Sequence, residues 1–156
     1  GIVMRSGRRI AFDVGKARVG VAVSDFHAIL ATPIAHLNRT ADLAAVISKA
    51  CEIATENEVI EIYVGLPLNL KNESTLSTED AVAFARALSL QAEVAVRLID
   101  ERLTTTSAAS ALRSAGHAAK TQKGLIDSAA AAVILEQAIS QEKLSNVAPG
   151  ISIEDY

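Results

Sequence analysis

Residues 8–24 hold two runs rich in Val, Ile and Phe, RRIAFDV (8–14) and RVGVAVS (18–24), with only Gly15-Lys16-Ala17 between them. Three residues are too few for a helical crossover, so the runs are expected to pair as an antiparallel hairpin. A third strand is expected over 29–37, with Pro33 marking an interruption or an edge position. Leu43, Val46, Ile47, Ala50 and Ile53 then recur at helical spacing behind Thr40, a candidate cap. Residues 59–64 (VIEIYV) read as a strand stopped by Gly65-Leu66-Pro67, and 69–77 as a polar loop. The STED stretch at 77–80 resembles a capping box for a helix using Ala81, Phe84, Ala85 and Leu88. A strand is expected over 93–99, a helix from Thr104 or Thr105 to Gly116, and a long helix over 121–142. Residues 1–7 and 146–156 are expected to be loose. The order β-β-β-α-β-α-β-α-α implies an α/β fold, a mixed sheet covered by helices, in one domain over 1–156 with its core at about 8–142.

At 156 residues the chain is long enough to build a core without disulfides or a structural metal. Half of it is hydrophobic and 21% charged, which excludes disordered and collagen-like chains. A single cysteine, Cys51, excludes a disulfide scaffold and a Cys-based zinc site, and its apolar helical neighbours mark it for core packing. With no apolar run near the ~18 residues of a membrane span and no signal peptide, a soluble cytoplasmic protein is expected, with no membrane partner. Three Phe, two Tyr and no Trp argue against binding single strands by stacking.

The net charge of −3 is segregated. Residues 1–25 and 97–124 are each +3, whereas 38–93 are −5 and 125–156 are −4. If the two basic stretches meet in space they form a patch for phosphate backbones; the alternative is chance clustering on solvated faces.

Three acids break hydrophobic patterns. Asp13 sits in RIAFDV on the side of the strand that carries Ala11. Asp100 and Glu101 end VAVRLIDE. Asp127 interrupts LIDSAAAAVIL, an otherwise apolar helix surface. A buried unpaired carboxylate is costly, so each needs a cation, a hydrogen-bond cage or a cleft. Singly, Asp13 could shape a turn, Asp100 or Glu101 could pair with Arg97 or Arg102, and Asp127 could serve a helix dipole. Together, acids at the ends of three core elements suit a divalent cation such as Mg²⁺, which takes oxygen ligands and keeps places for water and phosphate. Whether one metal or two is held stays open, because alternation points Asp100 away from Glu101. His27, His36 and His117 show no zinc spacing and no evident carboxylate partner, and the Ser nucleophile elbow G-x-S-x-G is absent.

The blocks FDVGKARVGVAVSD (12–25), VGLPLN (64–69), DERLTT (100–105) and KGLIDSAAAAVIL (123–135) resemble the YqgF/RuvX family, in order and over roughly residues 9–142. Members of that family are named as Holliday junction resolvases or pre-16S rRNA nucleases. The resemblance implies a ribonuclease H-like fold with a mixed five-stranded sheet between helices. It also implies that Asp13, Glu101 and Asp127 are the catalytic acids holding Mg²⁺ or Mn²⁺. Arg18 and Arg102 fall in matching blocks and suit backbone phosphates, with a salt bridge to a neighbouring acid as the alternative. Lys120 and Lys123, just ahead of the Asp127 helix, are further nucleic-acid candidates. Gly65-Leu66-Pro67 is expected to shape its loop.

The expected activity is a metal-dependent endonuclease acting on structured nucleic acid, foremost in maturation of the 16S rRNA precursor. Branched DNA competes as substrate, and a binding factor with little catalysis is a further reading. Cutting a junction symmetrically favours a homodimer, but nothing in the sequence separates monomer from dimer. A sugar-kinase or Hsp70-like ATPase shares the strand–DxG–strand hairpin but pairs two copies of the fold, and this chain has no internal repeat.

Overall fold

The computed structural model describes residues 4–68, 75–103 and 127–156. The expected hairpin is present: β1 (Arg9–Val14) and β2 (Arg18–Ser24) pair antiparallel, with Asp13 opposite Gly20 and Val14 opposite Val19. β3 (Ala31–Asn38) pairs antiparallel with β2 and forms one edge of the sheet, which is where Pro33 can be tolerated. Then come α1 (Leu43–Glu56), β4 (Glu61–Leu66), α2 (Leu76–Gln91) and β5 (Ala95–Asp100). A 3₁₀ turn at Glu101–Leu103 follows, and after the gap α3 (Ala129–Ser145). Because β1–β4 and β4–β5 run parallel, the sheet is mixed as expected.

Alternation sorts the core into two layers. Ile10, Phe12, Val64 and Leu98 pack with α1 and α2, where Phe12 and Phe84 tilt together at 5.9 Å between centroids. On the other face Ala11, Ala22, Tyr63 and Ile99 pack against α3. Alanines on both sides of that second layer let the helix lie close to the sheet.

Several boundaries differ from expectation. Asp42, not Thr40, caps α1, its carboxylate accepting from Ala44 N–H at 3.0 Å. The capping box of α2 is Thr75 with Thr78, starting two residues before Ser77, and Thr78 also donates to the Pro67 carbonyl. Threonine at N3 does the work usually given to Glu or Gln. Most of the expected polar loop, the helix from 104 or 105 to 116 and residues 121–126 of the long helix lie outside the described residues. Within them that helix begins only at Ala129, with Ser128 as its N-cap and Asp127 ahead of it rather than inside it, and runs to Ser145.

Among the described residues, neither 4–7 nor 146–156 is loose. Ile151–Ser152 forms β6, antiparallel to β5, giving six strands among the described residues instead of the five expected, in the order β3-β2-β1-β4-β5-β6. Two residues are too short for a strand pattern in sequence; Arg97, donating to the carbonyls of Pro149 and Gly150, and the buried Ile153 secure the tail. At the other end Arg5 reaches Glu61 at 2.7 Å and Glu142 at 2.5 Å. Arg9, fully buried, meets the same Glu142 at 2.9 Å.

Candidate active site

Glycine and a bulge bring α3 to the sheet. The ladder between β2 and β3 shifts register between Val19 and Val21, and the Val21 N–H turns to Ser128 Oγ at 3.0 Å. The same hydroxyl donates to Ile34 C=O at 2.5 Å. A side chain on Gly20 would collide with the Asp127 carbonyl, so only glycine allows this seat. Gly20 is also the cross-strand partner of Asp13. The backbone of Asp127 therefore stands beside Asp13, at the end of β1.

Glu101 arrives from β5. Its carboxyl lies over Gly65 of β4, where an added Cβ would stand 2.6 Å from Oε1. Gly65 thus makes room for an acid, a role the sequence reading gave instead to shaping a loop. Asp13 and Glu101 are hydrogen-bonded to each other. Burial, then the Asp13 charge and hydrogen bond and the Asp100 charge, push Glu101 up to about 7. Burial raises Asp13 as well, while its bond to Glu101 works in the opposite direction. Two like acids share a proton at the carboxyl ends of parallel strands, a place where sheet proteins collect ligands.

Asp127 stands apart. Its Oδ2 is 3.4 Å from His36 Nδ1 and 3.7 Å from Arg18 Nε. Among the described residues no three Asp, Glu, His or Cys side chains gather as a metal-binding group. The structure brings Asp13 and Glu101 together and leaves the third acid adjacent.

Of the expected phosphate ligands, Arg18 is exposed but faces Asp127. Arg102 closes onto Asp100 at 2.5 Å, and its guanidinium holds Asp100 below the usual carboxylate range. Here the neighbouring-acid alternative is the one observed. Lys120 and Lys123 lie outside the described residues. Arg5 and Arg9, counted in the first basic stretch, are spent internally at the opposite end of β1. His36, expected to lack a carboxylate partner, has Asp127. Alternation from Ile34, which packs on the α1–α2 layer, points His36 to that layer too, and the register shift that turns it away leaves no signal in the sequence.

The family model described as RuvX, Holliday junction resolvase, matches residues 7–141. The chain belongs to the RuvX family. Among curated relatives, a protein of Leifsonia xyli subsp. xyli named "Putative pre-16S rRNA nuclease" is 49% identical over 151 residues, 97% of each chain. A relative of the same name from Clavibacter sepedonicus is 46% identical over 147 residues, 94% of this RuvX chain and 91% of its own. Among solved structures, Thermus thermophilus RuvC in complex with a Holliday junction substrate superposes with a TM-score of 0.58. It shares 13% identity and covers 92% of this chain and 99% of its own, a likeness of fold. The expected ribonuclease H-like architecture is thereby shown.

Proposed function

We propose that this RuvX protein is a divalent-metal-dependent endonuclease on structured nucleic acid, acting in the cytoplasm on the 16S rRNA precursor. The observation that carries the reading is the Asp13–Glu101 pair, two half-buried acids hydrogen-bonded across the ends of β1 and β5. Such a pair is unfavourable in a fold with no use for it, and its all-oxygen donor set fits a hard cation. Asp13 and Glu101, joined by Asp127, would hold Mg²⁺ or Mn²⁺, which when bound activates water and offsets charge on the phosphate. Without it Glu101 shares a proton with Asp13, and that proton leaves as the pair is loaded. Arg18, exposed beside Asp127, offers a guanidinium to a backbone phosphate. The relatives' names favour pre-rRNA; the family description favours a four-way junction, which asks for two symmetric cuts.

The test is cleavage of a pre-16S transcript and of a four-way DNA junction, each with Mg²⁺ or Mn²⁺. Cuts in the transcript that vanish in Glu101→Gln support the proposal. Cuts confined to the junction move the activity to DNA. Tight binding without cleavage by the unmodified protein overturns the nuclease reading in favour of a binding factor.

A further inference from the structure

The backbone of Asp127 has little room to move. Ser128 is tied to β2 and β3, and the Asp127 carbonyl is seated on Gly20. Since Gly20 is opposite Asp13, side-chain torsions decide whether the Asp127 carboxylate joins the Asp13–Glu101 pair. In this structure it turns instead to Arg18 and His36. His36 is itself held, with Nε2 3.1 Å from Asn38 Oδ1 and its side chain 18% exposed. The arrangement keeps a third like charge off a pair already crowded by two.

We infer that Arg18 and His36 are positioning residues that hold the Asp127 carboxylate aside from Asp13 and Glu101 until a divalent cation enters. The inference rests on the metal-dependent reading above. Loading the site requires Asp127 to exchange these contacts for the cation, so Arg18 and His36 weaken metal binding by the strength of their hold. At 3.4 and 3.7 Å neither contact is a close hydrogen bond, so the hold is releasable. Arg18 is the exposed half of the latch, with 54% of its side chain open to solvent.

Mn²⁺ binding to the protein alone, by calorimetry and by electron paramagnetic resonance of free Mn²⁺, tests this without turnover. Arg18→Gln should tighten binding about two- to fivefold, the range of exposed ion pairs, and His36→Gln should tighten it as well. In the Asp127→Asn background the same substitutions should change nothing, because no carboxylate remains to be held. Tightening that persists in that background reports a general loss of positive charge and overturns the latch, as does unchanged affinity in both single variants. If Asp127→Asn alone leaves Mn²⁺ affinity intact while Asp13→Asn and Glu101→Gln abolish it, the latch falls and a two-acid site stands. If all three acids are dispensable for Mn²⁺, the metal reading itself falls and takes the latch with it. The two variants lie on different strands, so a folding defect in one, seen by circular dichroism, leaves the test standing on the other.

Discussion

Gly65 and Glu101 compete for one volume: an added Cβ on Gly65 would lie 2.6 Å from Glu101 Oε1 and 2.5 Å from Ile134 Cδ1. Both atoms end flexible side chains, so Gly65→Ala should fold, at a cost of about 1–3 kcal/mol. The acid must swing away, and Mn²⁺ affinity should drop about 10–100-fold, as when a ligand loses its orientation. Urea melts and metal titration of the variant check both. Full Mn²⁺ affinity in Gly65→Ala would show that Glu101 does not act from this position.

The raised carboxyl of Glu101 makes stability depend on pH in a defined direction. Below about pH 4.5 folded and unfolded chains both keep the proton. Between about 4.5 and 7 the folded chain holds a proton the unfolded chain has released, so stability falls as pH rises. Glu101→Gln removes that dependence. From pH 4.5 to 8, without metal, the variant should gain about 1–3 kcal/mol relative to the unmodified protein. Thermal melts across this range give the answer, and a constant gap would mean that the Glu101 carboxyl is not raised by its burial and by Asp13.

At the other end of β1, Glu142 compensates the fully buried Arg9, whose Nε and Nη1 have no hydrogen-bond partner among the described residues. Glu142→Ala should cost about 3–5 kcal/mol by stranding that charge. Arg5→Ala should also destabilise, by about 2–4 kcal/mol, because the buried Glu61 then keeps the Tyr63 hydroxyl but loses its ion pair, while Arg9 still faces Glu142. Denaturation midpoints at constant slope measure both, and a loss under about 0.5 kcal/mol in Glu142→Ala would contradict the burial of Arg9 against it.

Ile153 tests whether the tail belongs to the fold. It is 3% exposed and packs with the α1–α2 layer, so Ile153→Ala should cost about 2–4 kcal/mol. A loose tail would tolerate the change within about 0.5 kcal/mol.

The hairpin, the mixed sheet and the acids at the ends of β1 and β5 were legible in the sequence because each rests on local pattern: β-branched runs around a short turn, or an acid where an apolar residue belongs. Asp127, read as part of an apolar helix, stands ahead of it. The sixth strand was not legible, since two residues pair only because β5 offers them an edge. Charge counting overstated the basic surface for a similar reason. Arg5, Arg9 and Arg102 look alike in sequence, but Glu61, Glu142 and Asp100 neutralise them in space. The Asp13–Glu101 contact followed from strand ends sharing one side of the sheet. The turn of Asp127 toward His36 depends on a bulge and on Ser128, which no periodicity announces.

Arg9 and Asp13 are four residues apart on one strand and, by alternation, on one face; that is roughly 13 Å. α3 runs alongside and beyond that interval, with Asp127 just ahead of its first turn and Glu142 in its last, roughly 22 Å apart. One strand and one helix thus bring a strained acidic pair to one end and a compensated ion cluster to the other. At that separation substitutions at the two ends combine nearly additively. Durability can therefore be raised at the Arg9 end without retuning the chemistry at the Asp13 end, and a stability debt incurred by altering the acids can be repaid from the far end of the same strand.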